Sequence, residues 1–261
     1  MKYWPGRPAH DSRETPAAGR FRKHAETRIP KPRLLEQFGT AMLDNAISVI
    51  GPPAAGKTTL TRELGQLPGR RVFRLREHIS DHILAATATN TERQGWIDDL
   101  TVLTIVHEYM EKLIREGETH TLLLDNFPGR TTQVSLLLTV LQQLAPACIV
   151  RAIELVADPA VLHRRATSRR VCDCCERDPI CDPRLPAEAS MVDPRRCARC
   201  NDLLHVRRGD VPAVYKARMQ RYYEVAEGMR RAFSNAGITV TRLDNNRSVD
   251  TTTQELASLL V

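Results

Sequence analysis

The stretch GPPAAGKTT (residues 51–59) fits the pattern G-x-x-x-x-G-K-[ST] through Gly51, Gly56, Lys57 and Thr58. A short apolar run, AISVI (46–50), precedes it, and a helical pattern over 57–65 follows. Between a strand and a helix, such a loop turns backbone N–H groups inward, and the helix N-terminus adds a favourable dipole for phosphate. Lys57 reaches the β- and γ-phosphates of a nucleotide, and Thr58 offers a hydroxyl to Mg²⁺. Ala54, Ala55 and Thr59 complete the cradle. A second run, TLLLD (121–125), reads as a partner strand whose terminal Asp125 orients Mg²⁺ or its waters.

Outward from the loop, apolar runs at 71–75, 147–156 and 238–243 join those at 46–50 and 121–125. Runs of this kind suit strands buried on both faces. Helical patterns cover 57–65, 80–90, 96–116, 131–144, 158–171, 212–235 and 250–260, and Leu34, Leu35, Phe38 and Met42 have helical spacing before the first strand. The expected fold is therefore α/β, a P-loop doubly wound parallel sheet of about five strands flanked by helices. Residues 34–261 form the core, with an acceptor-binding helical part at 76–116. The segment 171–206, rich in Cys, Pro, Asp and Arg, fits neither period and reads as an insertion.

The net charge is +7, but residues 1–33 carry nine Lys/Arg against three acids, leaving 29 basic and 28 acidic residues elsewhere. The body is nearly neutral, so the excess belongs to a basic, disordered leader and argues against a nucleic-acid-binding face. No apolar run approaches the ~20 residues of a membrane span. The N-terminus has no signal core, and we expect a cytoplasmic monomer.

Seven cysteines in such a chain point to metal or thiol chemistry rather than to disulfides. Cys172 and Cys175, with Cys197 and Cys200, have the spacing of two turns that share one tetrahedral Zn²⁺. Four protein ligands leave no open position, so the site is structural. Cys174 and Cys181 are alternative ligands. Asp158 at the N-cap and Pro159 after it start a helix on which Arg165 and Arg169 share a face. Past the cysteines, Asp210 caps a helix carrying Arg218, and Arg207 lies just before it. Arginines from both sides of the insertion converge on one anionic ligand.

The ordered set GPPAAGKTT, LLLDNFPGRTTQ, RATSRRVCDCC, CARC, RRGDVPAVYKARM and AGITVTRLDNN resembles the adenylate kinases and related nucleoside monophosphate kinases over about residues 46–260. The resemblance implies ATP and Mg²⁺ as cofactors, with Zn²⁺ bracing a lid. It implies catalytic roles for Lys57, Arg169, Arg207, Arg218 and Asp125. Arg165 and Arg247 would lie near the adenine of ATP, and Gln133 would read the acceptor base. The partners are then ATP and a small acceptor, a nucleotide in the first instance.

The acceptor half departs from the family pattern. Its Ser-Thr-Gly-Asp stretch is absent from RLREHISDHIL, and an arginine's place falls to about His82. DGFPRT reads DNFPGRT, so Gly129 replaces a second arginine and Arg130 is displaced by one. Arg76, Arg74 or Arg130 is left to hold the acceptor. Two rival readings are an ATP-switched regulatory or nucleic-acid-binding protein with a zinc module, and a P-loop ATPase without an acceptor.

Overall fold

The computed structural model describes residues 43–84, 97–176, 183–247 and 249–258. The basic leader, the helix expected before residue 43, His-free residues 85–90 of the second helical pattern, and Cys181 lie outside the described residues. Five parallel strands form the sheet: β1 (Asn45–Ile50), β2 (Arg70–Phe73), β3 (Thr121–Asp125), β4 (Ile149–Val156) and β7 (Val240–Asp244), in the order β2-β3-β1-β4-β7. A two-stranded antiparallel ribbon, β5 (Arg170–Val171) with β6 (His205–Val206), closes the base of the cysteine-bearing excursion.

Strand alternation divides the core into layers on the two faces of the sheet. Ala46, Leu122 and Leu124 point to one face, where they meet Val102, Val106, Met110 and Leu113 of α2 (Asp99–Glu116). Leu137, Val140 and Leu141 of α3 (Thr131–Leu144) join that layer. Ile47, Val49 and Leu123 point the other way, onto Leu60 and Leu64 of α1 (Lys57–Gly65). Leu162 of α4 (Pro159–Ser168) and Leu256 of α6 (Val249–Ser258) complete this second layer. Met229 and Phe233 of α5 (Pro212–Asn235) pack separately on Ile50 and Ala152. Burial on both faces explains why β1 and β3 read as unbroken apolar runs.

Several local expectations are corrected. The helix expected from residue 96 starts at Asp99, because the Asp98 carboxylate accepts from the Thr101 backbone N–H at 2.9 Å and so caps it. It stops at Gly117, whose φ of 72° is the left-handed conformation of a C-cap. The helix expected to reach residue 171 ends at Ser168, because Arg170 and Val171 pair with β6. Arg169 is thereby drawn into extended backbone and does not share a helix face with Arg165. Asp158 occupies the N-cap position but makes no capping bond with its side chain. β4 is not wholly apolar: buried Glu154 accepts from Tyr222 and from Arg230 at 2.7 Å, and pairs with Arg242 at 3.3 Å. No described helix is long and apolar enough to cross a membrane.

Candidate functional site

The chain reverses its direction of crossover at β1, with β3 on one side and β4 on the other. Open parallel sheets bind ligands beyond the carboxyl ends of strands at such a point. The 51–59 loop leaves β1 there. Gly51 has φ 147°, and a Cβ on it would lie 2.6 Å from the Leu155 carbonyl oxygen, so only glycine fits. Gly56, at φ 90°, is the N-cap of α1. Ala54 also takes a left-handed conformation, φ 63°, at a cost of roughly 1–2 kcal/mol for a residue with a Cβ.

Lys57 is folded back over this loop, donating to the carbonyls of Gly51 at 2.8 Å and Pro52 at 2.7 Å. Burial pushes its ammonium down to about 7, against the attraction of Asp125 and with the repulsion of Arg218, Arg169 and Arg207. Asp125, at the end of β3, is buried, and its Oδ2 accepts from Arg74 Nε at 2.8 Å. Its Oδ1 is buried with no hydrogen-bond partner, an orphaned acceptor that suits Mg²⁺ or a metal-bound water. Thr58 and Thr59 line the same cleft.

The expected cap role of Asp210 is replaced by a different one. Val211 occupies the N-cap of α5, while Asp210 turns inward and is almost fully buried. Its carboxylate accepts from Arg169 Nε at 2.7 Å and lies 3.3 Å from Arg218 Nη1 and 3.8 Å from Arg207 Nη1. Arg218 also donates to the Gly209 carbonyl at 2.8 Å. Burial, then the charge of Arg207, lowers the Arg218 guanidinium to about 10. One carboxylate thus gathers three guanidiniums from α4's end, from the approach to α5 and from α5 itself. All three line the cleft together with Lys57.

The cleft has a volume of about 360 Å³. Of the expected residues, Gly51, Ala54, Gly56, Lys57, Thr58, Arg76, Asp125 and Gln133 line it together with the three arginines. Ala55 lies fully buried behind the loop. Gln133 is buried, and its Oε1 accepts from the Gly129 N–H at 2.8 Å. Arg130 does not line the cleft: it pairs with Asp99 at 2.6 Å and donates to the Ile97 carbonyl at 3.3 Å. The displacement by one residue has turned it onto the start of α2. Arg165 and Arg247 meet each other, Arg165 Nη2 donating to the Arg247 carbonyl at 3.1 Å, and neither lines the cleft.

Four residues were missed or left in the background. Arg184, inside the cysteine-bearing excursion, reaches Glu77 at 2.5 Å and Glu176 at 3.4 Å. Its irregular surroundings carry no periodic signal. Arg221 lines the cleft three residues after Arg218, a helical spacing that was legible. Tyr222 lines it as well. Asn245, at the end of β7, donates to the Ala55 carbonyl and accepts from Thr252 Oγ1 at 2.7 Å, bracing the loop from behind.

The cysteine expectation holds for the four predicted ligands. Sγ atoms of Cys172, Cys175, Cys197 and Cys200 all lie within 4.8 Å of one another. The Cys172–Cys200, Cys175–Cys200 and Cys175–Cys197 separations are 3.3, 3.5 and 3.6 Å. Four thiolates about 2.3 Å from one ion would stand about 3.8 Å apart, whereas a disulfide needs about 2.05 Å. The set therefore fits Zn²⁺ and not a disulfide. Backbone N–H groups of Cys200 and Arg199 pull the Cys197 thiol down to about 7. Cys174 is exposed and outside the cluster.

No family model matches the chain. Curated relatives are nonetheless consistent. The adenylate kinase of Treponema pallidum (strain Nichols) is 29% identical over 201 residues, covering 74% of this chain and 87% of that protein. The adenylate kinase of Pyrococcus abyssi is 27% identical over 223 residues, 82% of this chain and 94% of its own. That of Caldicellulosiruptor saccharolyticus is 23% identical over 217 residues, 81% and 97% respectively. With its phosphate loop at the sheet's switch point, the chain is similar to the adenylate kinases over most of its length, and its four-cysteine cluster fits a zinc-braced lid.

Proposed function

We propose that the chain is an ATP-dependent phosphotransferase that moves the γ-phosphoryl group of ATP to a nucleoside monophosphate or a related small acceptor. The observation that carries this reading is the convergence of Lys57, Asp125 and three arginines fastened to Asp210 on one cleft beside the phosphate loop. Phosphoryl transfer needs positioning and charge neutralisation more than covalent chemistry, and this cleft supplies both.

In this account Lys57 exchanges its two loop carbonyls for phosphate oxygens, and Arg169, Arg207 and Arg218 surround the transferring group. Gly51, Ala54, Ala55, Gly56 and Thr59 form the cradle. Thr58 and Asp125 would hold Mg²⁺, which would supply charge neutralisation for the phosphates. Arg165 and Arg247 flank the adenine. Residues 171–206 act as the lid, and the four cysteines brace it around Zn²⁺ without entering the chemistry. Residues 76–116 belong to the acceptor side, where Gln133 reads the base.

The relatives named above are adenylate kinases, which supports the nucleotide-kinase class. The acceptor side of this chain is built differently, with Arg130 tied to Asp99 and no arginine at position 129. This difference supports a specialised acceptor. Incubating the full chain with Mg²⁺, γ-labelled ATP and a panel of nucleoside monophosphates and small alcohols tests the assignment. Label on an acceptor supports it, and release of inorganic phosphate alone in every case rejects it.

A further inference from the structure

Arg74 follows β2 directly, and the parallel register that sets Phe73 opposite Leu124 carries it beside Asp125 at the end of β3. Its Nε donates to Asp125 Oδ2 at 2.8 Å, and its Nη1 lies 3.4 Å from Glu77 Oε1. Glu77 is held in turn by Arg184 of the cysteine-bearing excursion, at 2.5 Å. The Arg74 guanidinium is therefore fixed between two carboxylates and is mostly buried. Such a partner orients a ligating carboxylate rather than ligating anything itself.

The two oxygens of Asp125 are unlike as a result. Oδ2 is taken by Arg74, whereas Oδ1 is buried with no hydrogen-bond partner. Among the described residues that line the cleft, Asp125 is the single carboxylate, so it alone offers a cation there an anionic oxygen of the protein. How many of its oxygens are available then decides which cation fits. Mg²⁺ keeps near-octahedral geometry and several of its waters, and one carboxylate oxygen serves it well. Ca²⁺ takes more oxygens, at longer distances, and gains from a carboxylate that offers both.

We propose that Arg74 is a positioning residue that determines metal specificity: by occupying Oδ2 it leaves Asp125 one metal-binding oxygen, and so selects Mg²⁺ over Ca²⁺ in the nucleotide complex. The inference rests on the phosphotransferase reading, which places a metal–nucleotide complex in this cleft. Glu77 and Arg184 keep the guanidinium on Asp125, so the selection is built into the chain before any nucleotide enters.

The full chain is titrated calorimetrically with a non-hydrolysable ATP analogue, once at saturating Mg²⁺ and once at saturating Ca²⁺. The Mg²⁺-loaded analogue should bind about 10-fold or more tighter. Glutamine and methionine place Nε2 and Cε where arginine has Nε, so they keep its reach with and without a donor. Arg74→Gln should hold the preference within about 3-fold, and Arg74→Met should lose about 10-fold of it. Arg74→Leu, also without a donor, should behave as Arg74→Met does. The proposal is overturned if the wild-type chain binds both loaded analogues equally, or if the donor-free variants keep the full preference. Equal loss in the glutamine and methionine variants would assign the preference to the charge of Arg74 and overturn it too. A Mg²⁺ preference that depends on the donor, with no phosphorylated product formed from ATP, would leave the metal selection standing and defeat the phosphotransferase reading.

Discussion

Asp210 holds Arg169 through two nitrogens, Nε at 2.7 Å and Nη2 at 2.5 Å, and does so from a fully buried carboxylate. The same carboxylate faces Arg218 and Arg207, so one negative charge organises three positive ones. Replacing Asp210 with Asn leaves those guanidiniums to repel one another in a partly buried cluster. Breaking a buried ion network in this way costs roughly 3–5 kcal/mol. We expect Asp210→Asn to lower the unfolding free energy by about that amount and kcat by about 100-fold, read by denaturant titration and steady-state kinetics. Arg169→Ala and Arg207→Ala should each reduce kcat more than they raise the KM for ATP. Wild-type kcat in either arginine variant would remove these residues from the reaction.

Lys57 offers a pH test. Its ammonium is held down to about 7 by burial in the ligand-free chain, and phosphate oxygens would favour the charged form. ATP binding at pH 8 should therefore take up close to one proton, measured calorimetrically in buffers of different ionisation enthalpy, and affinity should weaken as pH rises above about 7. The sign for stability is opposite. The unfolded chain holds the proton up to the ordinary value of 10.5, so the ligand-free fold gains stability as pH rises from about 7 towards 10.5. Lys57→Met should abolish the proton uptake, leave the fold intact and cut kcat by about 1000-fold.

The four-thiol cluster predicts one tightly held Zn²⁺ per chain by elemental analysis. Cys172→Ser or Cys200→Ser should lose the metal and lower the thermal midpoint. Cys174→Ser should do neither, since Cys174 is exposed and outside the cluster. A folded, active preparation without zinc would contradict the brace.

AMP should be a poor acceptor. One expected arginine position falls to about His82 and the other to Gly129, and the displaced Arg130 pairs with Asp99 at 2.6 Å, so two expected grips on the AMP phosphate are altered. Two lost charge-assisted contacts, each worth roughly 1.5–3 kcal/mol, amount to several orders of magnitude in kcat/KM. A kcat/KM for AMP near ~10⁶ M⁻¹s⁻¹ would show that other groups replace them fully.

The legible parts of the sequence were those with a local cause. GPPAAGKTT announced the loop because positive φ and close backbone approach demand glycine at 51 and 56. The boundaries of α1, α3 and α5 followed from apolar periodicity, and the paired C-x-x-C turns identified the cysteine cluster. Asp210 was misread because a helix cap and an arginine hub present the same local sequence. Only the fold brings Arg169 back across 41 residues to meet it. Arg184 was invisible for a similar reason, since its partner Glu77 lies 107 residues away. The orientation of Arg130 depended on Asp99, a contact set by the packing of α2 on α3.

The most direct measurement follows the γ-phosphoryl group itself. The full chain is incubated with Mg²⁺ and γ-labelled ATP, with and without each nucleoside monophosphate, and products are resolved by mass. Label should appear on at least one monophosphate as a new diphosphate, formed with equimolar ADP, at a rate about 1000-fold lower with Lys57→Met. Label released only as inorganic phosphate, at a rate indifferent to every acceptor, would contradict it.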